Sequence, residues 1–204
     1  MKEFIKKYHP IPRIIRSFKA RELDNSDFTI LSSNCLGGII YHLLGSQFCS
    51  PTINMRISSN EFIRMLNNIN DYLKLPLEEV CNADEVYPVA KLGDVFLHLN
   101  HYKTFEDAKL KWEQRLQRIN WDNIYITLND LDGVTEKDIR ALSNFNCNNI
   151  VVFTHKKYDD IPYTYYVGDE TKLKHMLNRS LLTGLYDFEN WFDYVSFINS
   201  KKIK

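Results

Sequence analysis

The sequence has no excess of either charge: Lys+Arg 26 stand against Asp+Glu 26, a formal net charge of +0 over 204 residues. Without a basic surplus there is no global electrostatic pull toward nucleic acid, and no nucleic-acid partner is expected. The cysteines Cys35, Cys49, Cys81 and Cys147 show no CxxC spacing, so a zinc site is not expected. Neither a cleavable signal peptide nor a long apolar span is legible, and the simplest expectation is a cytoplasmic protein with reduced thiols. Internal repeats, low-complexity segments and linkers are missing as well.

What is present suits one soluble globular domain: 44% hydrophobic and 25% charged residues in a chain long enough to bury a core without staples. Residues 1–27 read as a basic N-terminal arm and residues 28–204 as a single α/β domain. In the arm, Lys2, Lys6, Lys7, Arg13, Arg16, Lys19 and Arg21 are interleaved with Phe4, Ile5, Ile14, Ile15 and Phe18. That composition suits peripheral contact with an anionic membrane surface, although Pro10 and Pro12 interrupt any long amphipathic helix; an ordinary solvated arm is the alternative. The twelve Tyr and twelve Phe are compatible with a sugar-binding surface, and equally with core packing.

Residues 28–33 predict a strand, and a short helix follows from Gly38 to about Gly45. Ser58 with Glu61 gives a capping-box pattern, and Phe62, Met65, Leu66, Ile69 and Leu73 recur at helical spacing, which predicts a helix over 59–74. Residues 85–92 are ambiguous, and Val95, Phe96, Leu97 and Leu99 read as a buried strand entered from Gly93 and Asp94. Thr104 with Asp107 caps a helix whose face is Phe105, Ala108, Trp112, Leu116 and Ile119; Thr135 with Asp138 caps another. Residues 124–128, 150–153 and 163–167 read as strands, and residues 188–199 as an aromatic helix. This alternation predicts a three-layer α/β sandwich with a largely parallel, Rossmann-like central sheet.

Polar residues follow each strand: Asn34 and Cys35, then Asn100 and His101, then Asn129, Asp130 and Asp132, then His155 and Lys156. If the sheet is parallel these lie along one edge, where open α/β sheets bind ligands. Cys35 with His98 or His101, and Asp130 or Asp132, has the composition of a nucleophile, a base and an orienting acid. The bland alternatives are a packed structural cysteine and a core histidine. Asn34, Gly37 and Gly38 form a candidate anion-binding turn, because glycines admit close approach and a first helical turn offers free N–H groups. Asp130 and Asp132 form a D-x-D pattern of the kind that holds a divalent cation against a diphosphate; Asp132 before Gly133 is equally a plain turn. Lys111, Arg115 and Arg118 share a helix face that is either a phosphate or carboxylate clamp or a solvated row.

Asn34, Cys35, Gly37, Gly38 and Tyr41, then Ser50, Pro51 and Thr52, then Tyr87, Pro88 and Val89 carry a pattern, continued by Asp94, His98, His101 and Tyr102. Ala108, Lys111, Trp112, Arg115, Arg118, Ile119 and Asn120, then Asp132, Gly133 and Thr135, extend it in the same order. This series resembles the bacterial domain of unknown function nineteen-nineteen, usually described as an exopolysaccharide-biosynthesis protein. The resemblance implies an α/β fold and a setting in capsule, lipopolysaccharide or exopolysaccharide assembly. It adds Tyr41, Ser50, Thr52 and Tyr102 to the candidate substrate-binding positions, beside Asn34, Gly37, Gly38, Lys111, Arg115 and His155. Ser33 stands where a second Asn is usual and Leu36 where Trp is common, which removes an aromatic stacking surface beside Cys35.

Three functions are therefore expected alternatives. The first is a cytoplasmic transferase taking a sugar nucleotide or glycan intermediate, with Asp130 and Asp132 near the transferred group and His101 as general base. The second is a Cys35-dependent acyltransferase or hydrolase of the same pathway. The third is a glycan-binding or scaffold protein without turnover.

Overall fold

A computed structural model describes residues 18–24, 26–81, 85–145 and 149–199. Its elements in chain order are β1 (Thr29–Ser32), α1 (Leu36–Leu44), α2 (Ser59–Asn67), α3 (Ile69–Tyr72), β2 (Glu78–Val80), β3 (Val89–Leu92) and β4 (Val95–His98). They continue with α4 (Phe105–Leu116), β5 (Ile124–Asn129), α5 (Glu136–Ala141), β6 (Asn149–Thr154), β7 (Thr164–Tyr166), α6 (Glu170–His175) and α7 (Tyr194–Ile198). Strands β1, β5, β6 and β7 pair in that order, all parallel, so the expected α/β sandwich is borne out.

The sheet is buried on both sides, which is why β5 reads Ile-Tyr-Ile-Thr-Leu without polar alternation. Ile30, Tyr125, Val151 and Phe153 pack on one face with α1, α7 and the aromatic Phe188 and Phe192. Leu31, Ile126, Leu128 and Val152 pack on the other with Phe62 of α2, Trp112 of α4 and Leu97 of β4. Each such side chain contributes about 1.5–3 kcal/mol on full burial, so the two alternating rows fix the register of the sheet between its layers.

Local expectations hold where the signal is local. Thr104 accepts from the Asp107 amide, and Thr135 and Asp138 form a full capping box. Other expectations are corrected. The strand at 95–98 does not join the parallel sheet: β4 folds back on β3 through Gly93–Asp94, with Leu92 opposite Val95 and Gly93 at φ +65°, and β2 completes an antiparallel sheet. The helix expected over 59–74 breaks at Asn68, whose φ −135°, ψ 37° leaves the helical region. Ser58 donates to its Glu61 partner's carboxylate instead of capping a backbone amide. Helix α1 begins before the glycine pair, not at it. The C-terminal aromatic run is a 3-10 turn, Asp187–Asn190, followed by α7.

Of the basic arm, the Lys19 ammonium lies 4.5 Å from the Tyr194 ring and the Arg21 guanidinium 5.6 Å from the Phe18 ring. Lys2, Lys6, Lys7, Arg13 and Arg16 lie outside the described residues, as does Cys147. Among the described residues no helix is long and apolar enough to cross a membrane.

Candidate functional site

The segment between α1 and α2 ties the two sheets together. Ile57 donates its amide to Ser33 O at the end of β1, and Arg56 exchanges backbone hydrogen bonds of 2.9 and 2.8 Å with His98 at the end of β4. A tight turn, closed by Tyr102 N donating to Leu99 O, then carries the chain back toward β1. Its consequence is that Cys35 Sγ stands 3.2 Å from His101 Nε2, although the two residues come from different sheets.

Cys35 occupies the N-cap position of α1 and is half-buried, while His101 is exposed. Burial pushes the Cys35 thiol above its ordinary value, opposed by a hydrogen bond from Asn100. Burial thus disfavours the thiolate, and a base that takes the proton favours attack by the sulfur. Asn34 Oδ1 accepts from the Leu36 amide at 2.9 Å, so Asn34 acts as a cap on the first turn of α1. A Cβ on Gly37 would meet Ser32 Cβ at 3.0 Å, and one on Gly38 would meet Ile53 Cγ2 at 3.2 Å. The glycine pair therefore serves close packing of α1 against β1 and the 53–54 turn, and Gly38 also reaches the cleft wall.

The dyad opens into a cleft of about 490 Å³. Ile39, Phe48 and Leu177 give it apolar walls; His42, Asn54 and Tyr186 add polar groups, and among the described residues no Lys, Arg, Asp or Glu lines it. Sequence reading missed these residues. His42 was accessible in principle, since it lies seven positions after Cys35, two turns on the same helix face. Asn54 carries a left-handed backbone, φ 63°, which no local signal announced.

The remaining candidates divide between other roles. Asp130 is buried and accepts from the His155 amide and from His155 Nδ1, the latter at 2.8 Å, forming a second histidine pair at the ends of β5 and β6. Asp132, at φ 58° in the turn before Gly133, lies 3.7 Å from Arg56 Nη1 and accepts from the Ser59 amide at 3.4 Å. Neither carboxylate bonds His101, so the orienting acid expected for it is not Asp130 or Asp132. The two also take different partners, and among the described residues no group of three His, Cys, Asp or Glu converges as a metal site; the D-x-D pair does not fit a shared cation here. His98 faces Tyr87, ring to ring at 6.1 Å, and Glu85 at 3.6 Å rather than Cys35.

Four positions expected to bind substrate are built into the core instead. Tyr41 is buried, accepts from Ile30 N and donates to Phe28 O, and burial drives its phenol far above the usual range. Ser50 and Thr52 are buried and bond each other at 3.2 Å, and Thr52 Oγ1 accepts from Ser32 N. Arg115 is buried too, where its Nη1 donates to Tyr102 Oη at 2.6 Å and to Ile53 O at 3.4 Å beneath the Phe48 ring. Tyr102 donates in turn to Ile53 O at 3.0 Å, so these two brace the His101 turn against the 53–54 turn. Lys111 is exposed beside Gln114, and Arg118 donates to Phe48 O, so the row is not a joint clamp.

The family model described as domain of unknown function (DUF1919) matches residues 7–199. An uncharacterized protein of Haemophilus influenzae is 37% identical over 187 residues, which covers 88% of this chain and 87% of that protein. The chain belongs to the family of the domain of unknown function (DUF1919), as the ordered series from Asn34 to Thr135 leads one to expect.

Proposed function

We propose that the chain is a cysteine-dependent acyltransferase or hydrolase acting on a glycan intermediate in cell-surface polysaccharide assembly. The observation that carries the chemistry is the 3.2 Å separation of Cys35 Sγ and His101 Nε2 at the mouth of a cleft. His101 takes the thiol proton as Sγ bonds the acyl carbonyl carbon, and returns it to the leaving group as the old acyl bond breaks. A hydroxyl or water then gives its proton to His101 while attacking the thioester, and Sγ recovers the proton as it leaves. The Leu36 amide is taken by Asn34, so the Gly37 and Gly38 N–H groups of the first turn of α1 are the ones from which a developing oxyanion would gain.

The cleft lining also supports acyl rather than phosphate-linked substrates. Apolar walls suit an acyl group, and a diphosphate donor would find no Lys or Arg there among the described residues. A sugar-nucleotide transferase has less support for that reason. The pathway, a cytoplasmic step in capsule, lipopolysaccharide or exopolysaccharide assembly, rests on the resemblance alone.

The test is acylation of the protein by p-nitrophenyl acetate, mapped by peptide mass spectrometry. Acetyl transfer to Cys35 is expected in the wild type, absent in Cys35→Ala, and slowed about a hundredfold or more in His101→Ala. Equal labelling of Cys35 and the exposed Cys81 in the wild type and in His101→Ala overturns the proposal.

A further inference from the structure

Residues 177–187 form a short antiparallel ladder that divides two clefts. Arg179 bridges Tyr186, Ser180 N donates to Leu185 O at 2.8 Å, and Asp187 N donates to Asn178 O at 2.9 Å. Leu177 and Tyr186 line the Cys35 cleft, while Asn178, Arg179, Ser180 and Asp187 line another, of about 480 Å³.

The second cleft has the opposite character. All of its lining residues carry polar side chains, which suits a ligand rich in hydrogen-bonding groups better than a lipid or acyl chain. Its charges also balance, with Lys172 and Arg179 facing Asp169 and Asp187, so a polyanion has no net attraction there. Several of the groups are uncommitted: among the described residues, no other side chain or backbone group bonds the side-chain polar atoms of Thr171, His175, Asn178 or Asp187. Donors and acceptors thus alternate around one concavity, with a carboxylate able to accept from two neighbouring hydroxyls. Lys172, one of the lining residues, holds its ammonium 5.8 Å from the Trp191 ring, which stacks on Tyr165 at 5.4 Å.

The geometry points to a saccharide-binding site between α6 and the 178–190 segment, which takes a neutral, polyhydroxylated ligand and is separate from the Cys35 cleft. Asp187 and Asn178 hold hydroxyls from the ladder side, and Thr171 and His175 from the helix side. The site does not depend on the chemistry proposed for Cys35. It gives the chain a place for a glycan on one side of the ladder and a reactive thiol on the other.

The test uses amide nuclear-magnetic-resonance spectra of the full chain with maltotriose, chitotriose and lactose, and inorganic pyrophosphate as the anionic comparison. At least one saccharide is expected to shift the amides of Thr171, Asn178 and Asp187. Asp187→Ala and Asn178→Ala should each weaken that binding about tenfold or more, and the dispersion of their own spectra reports whether they fold. Cys35→Ala should bind as the wild type does, so loss of acyl chemistry leaves this result standing. Shifts with pyrophosphate alone, saccharide shifts confined to the Cys35 cleft, or no shift with any saccharide would each overturn the assignment.

Discussion

Replacing Gly37 by Ala tests whether the contact between α1 and β1 sets the geometry of the thiol. The new Cβ would lie 3.0 Å from Ser32 Cβ and 3.2 Å from Ile30 Cγ2, against an ordinary carbon contact of about 3.5–4.0 Å. Neither neighbour has room to swing aside. Ser32 Cβ is fixed by a strand paired with β5, and Ile30 is fully buried, so the N-terminal turn of α1 must lift by about half an ångström. Overpacking of this kind costs about 1–3 kcal/mol, and the better helix propensity of Ala offsets about 0.5–1 kcal/mol of it. A net destabilisation of about 1 kcal/mol follows, or about 2–4 °C in Tm for a chain of this size. Cys35 sits at the head of the displaced turn, so its separation from His101 grows and its alkylation slows. Urea denaturation and iodoacetamide labelling resolved by peptide measure the two effects on one variant. Gly38→Ala is the milder control, because its nearest contacts, Ile53 Cγ2 at 3.2 Å and Asn54 Oδ1 at 3.3 Å, are longer than the 3.0 Å that Gly37 faces at Ser32 Cβ. A Gly37→Ala protein at least as stable as the wild type, with Cys35 labelled at the same rate, refutes the reasoning.

Two further outcomes concern the frame around the site. Arg115→Met keeps the apolar stem but removes the guanidinium from Tyr102 and Ile53 O, and should cost about 1.5–3 kcal/mol in urea denaturation; unchanged stability would mean that the stem alone matters. Hydrogen bonds from the Thr135 hydroxyl and amide hold the Asp138 carboxyl below its ordinary value. The unfolded chain takes up that proton first, so the stabilisation is present above the ordinary carboxylate value and is lost as pH falls through it toward the lower folded value. Thr135→Ala should therefore cost about 1 kcal/mol at neutral pH and make the acid limb of a stability–pH curve shallower. A limb identical in the two proteins would contradict that linkage.

The caps at Thr104 and Thr135 were legible because each is complete within four residues. The strands of the parallel sheet were legible for a similar reason, as each is a short apolar run next to a helical pattern. Strand partners were not: β4 has the composition of a sheet strand, and nothing in Val95 to His98 says that its neighbour is β3 rather than β1. The available signal was Gly93–Asp94, a two-residue hairpin turn that reads at first as a strand entrance. At the site, Cys35 and His101 were both legible as strand-end residues, and their meeting depends on the Arg56–Ile57 tie that no periodicity marks. Asp130 was legible as a polar strand end, but its pairing with His155 comes from the adjacency of β5 and β6. The glycine pair was legible as unusual. Its purpose was not, because a close approach by Ser32 and one by a ligand leave the same mark on a sequence.

The hydroxyls of Tyr41 and Thr52 do more than fill the core. Strand β1 ends one side of the parallel sheet, and an end strand normally offers a row of amides to any passing extended chain. Here Ile30 N donates to Tyr41 and Ser32 N to Thr52, so side chains stand where another strand would have to add. The margin beside Cys35 is thereby closed to strand recruitment by a second copy or a foreign peptide, and the sheet stops growing at the place where the reactive thiol begins.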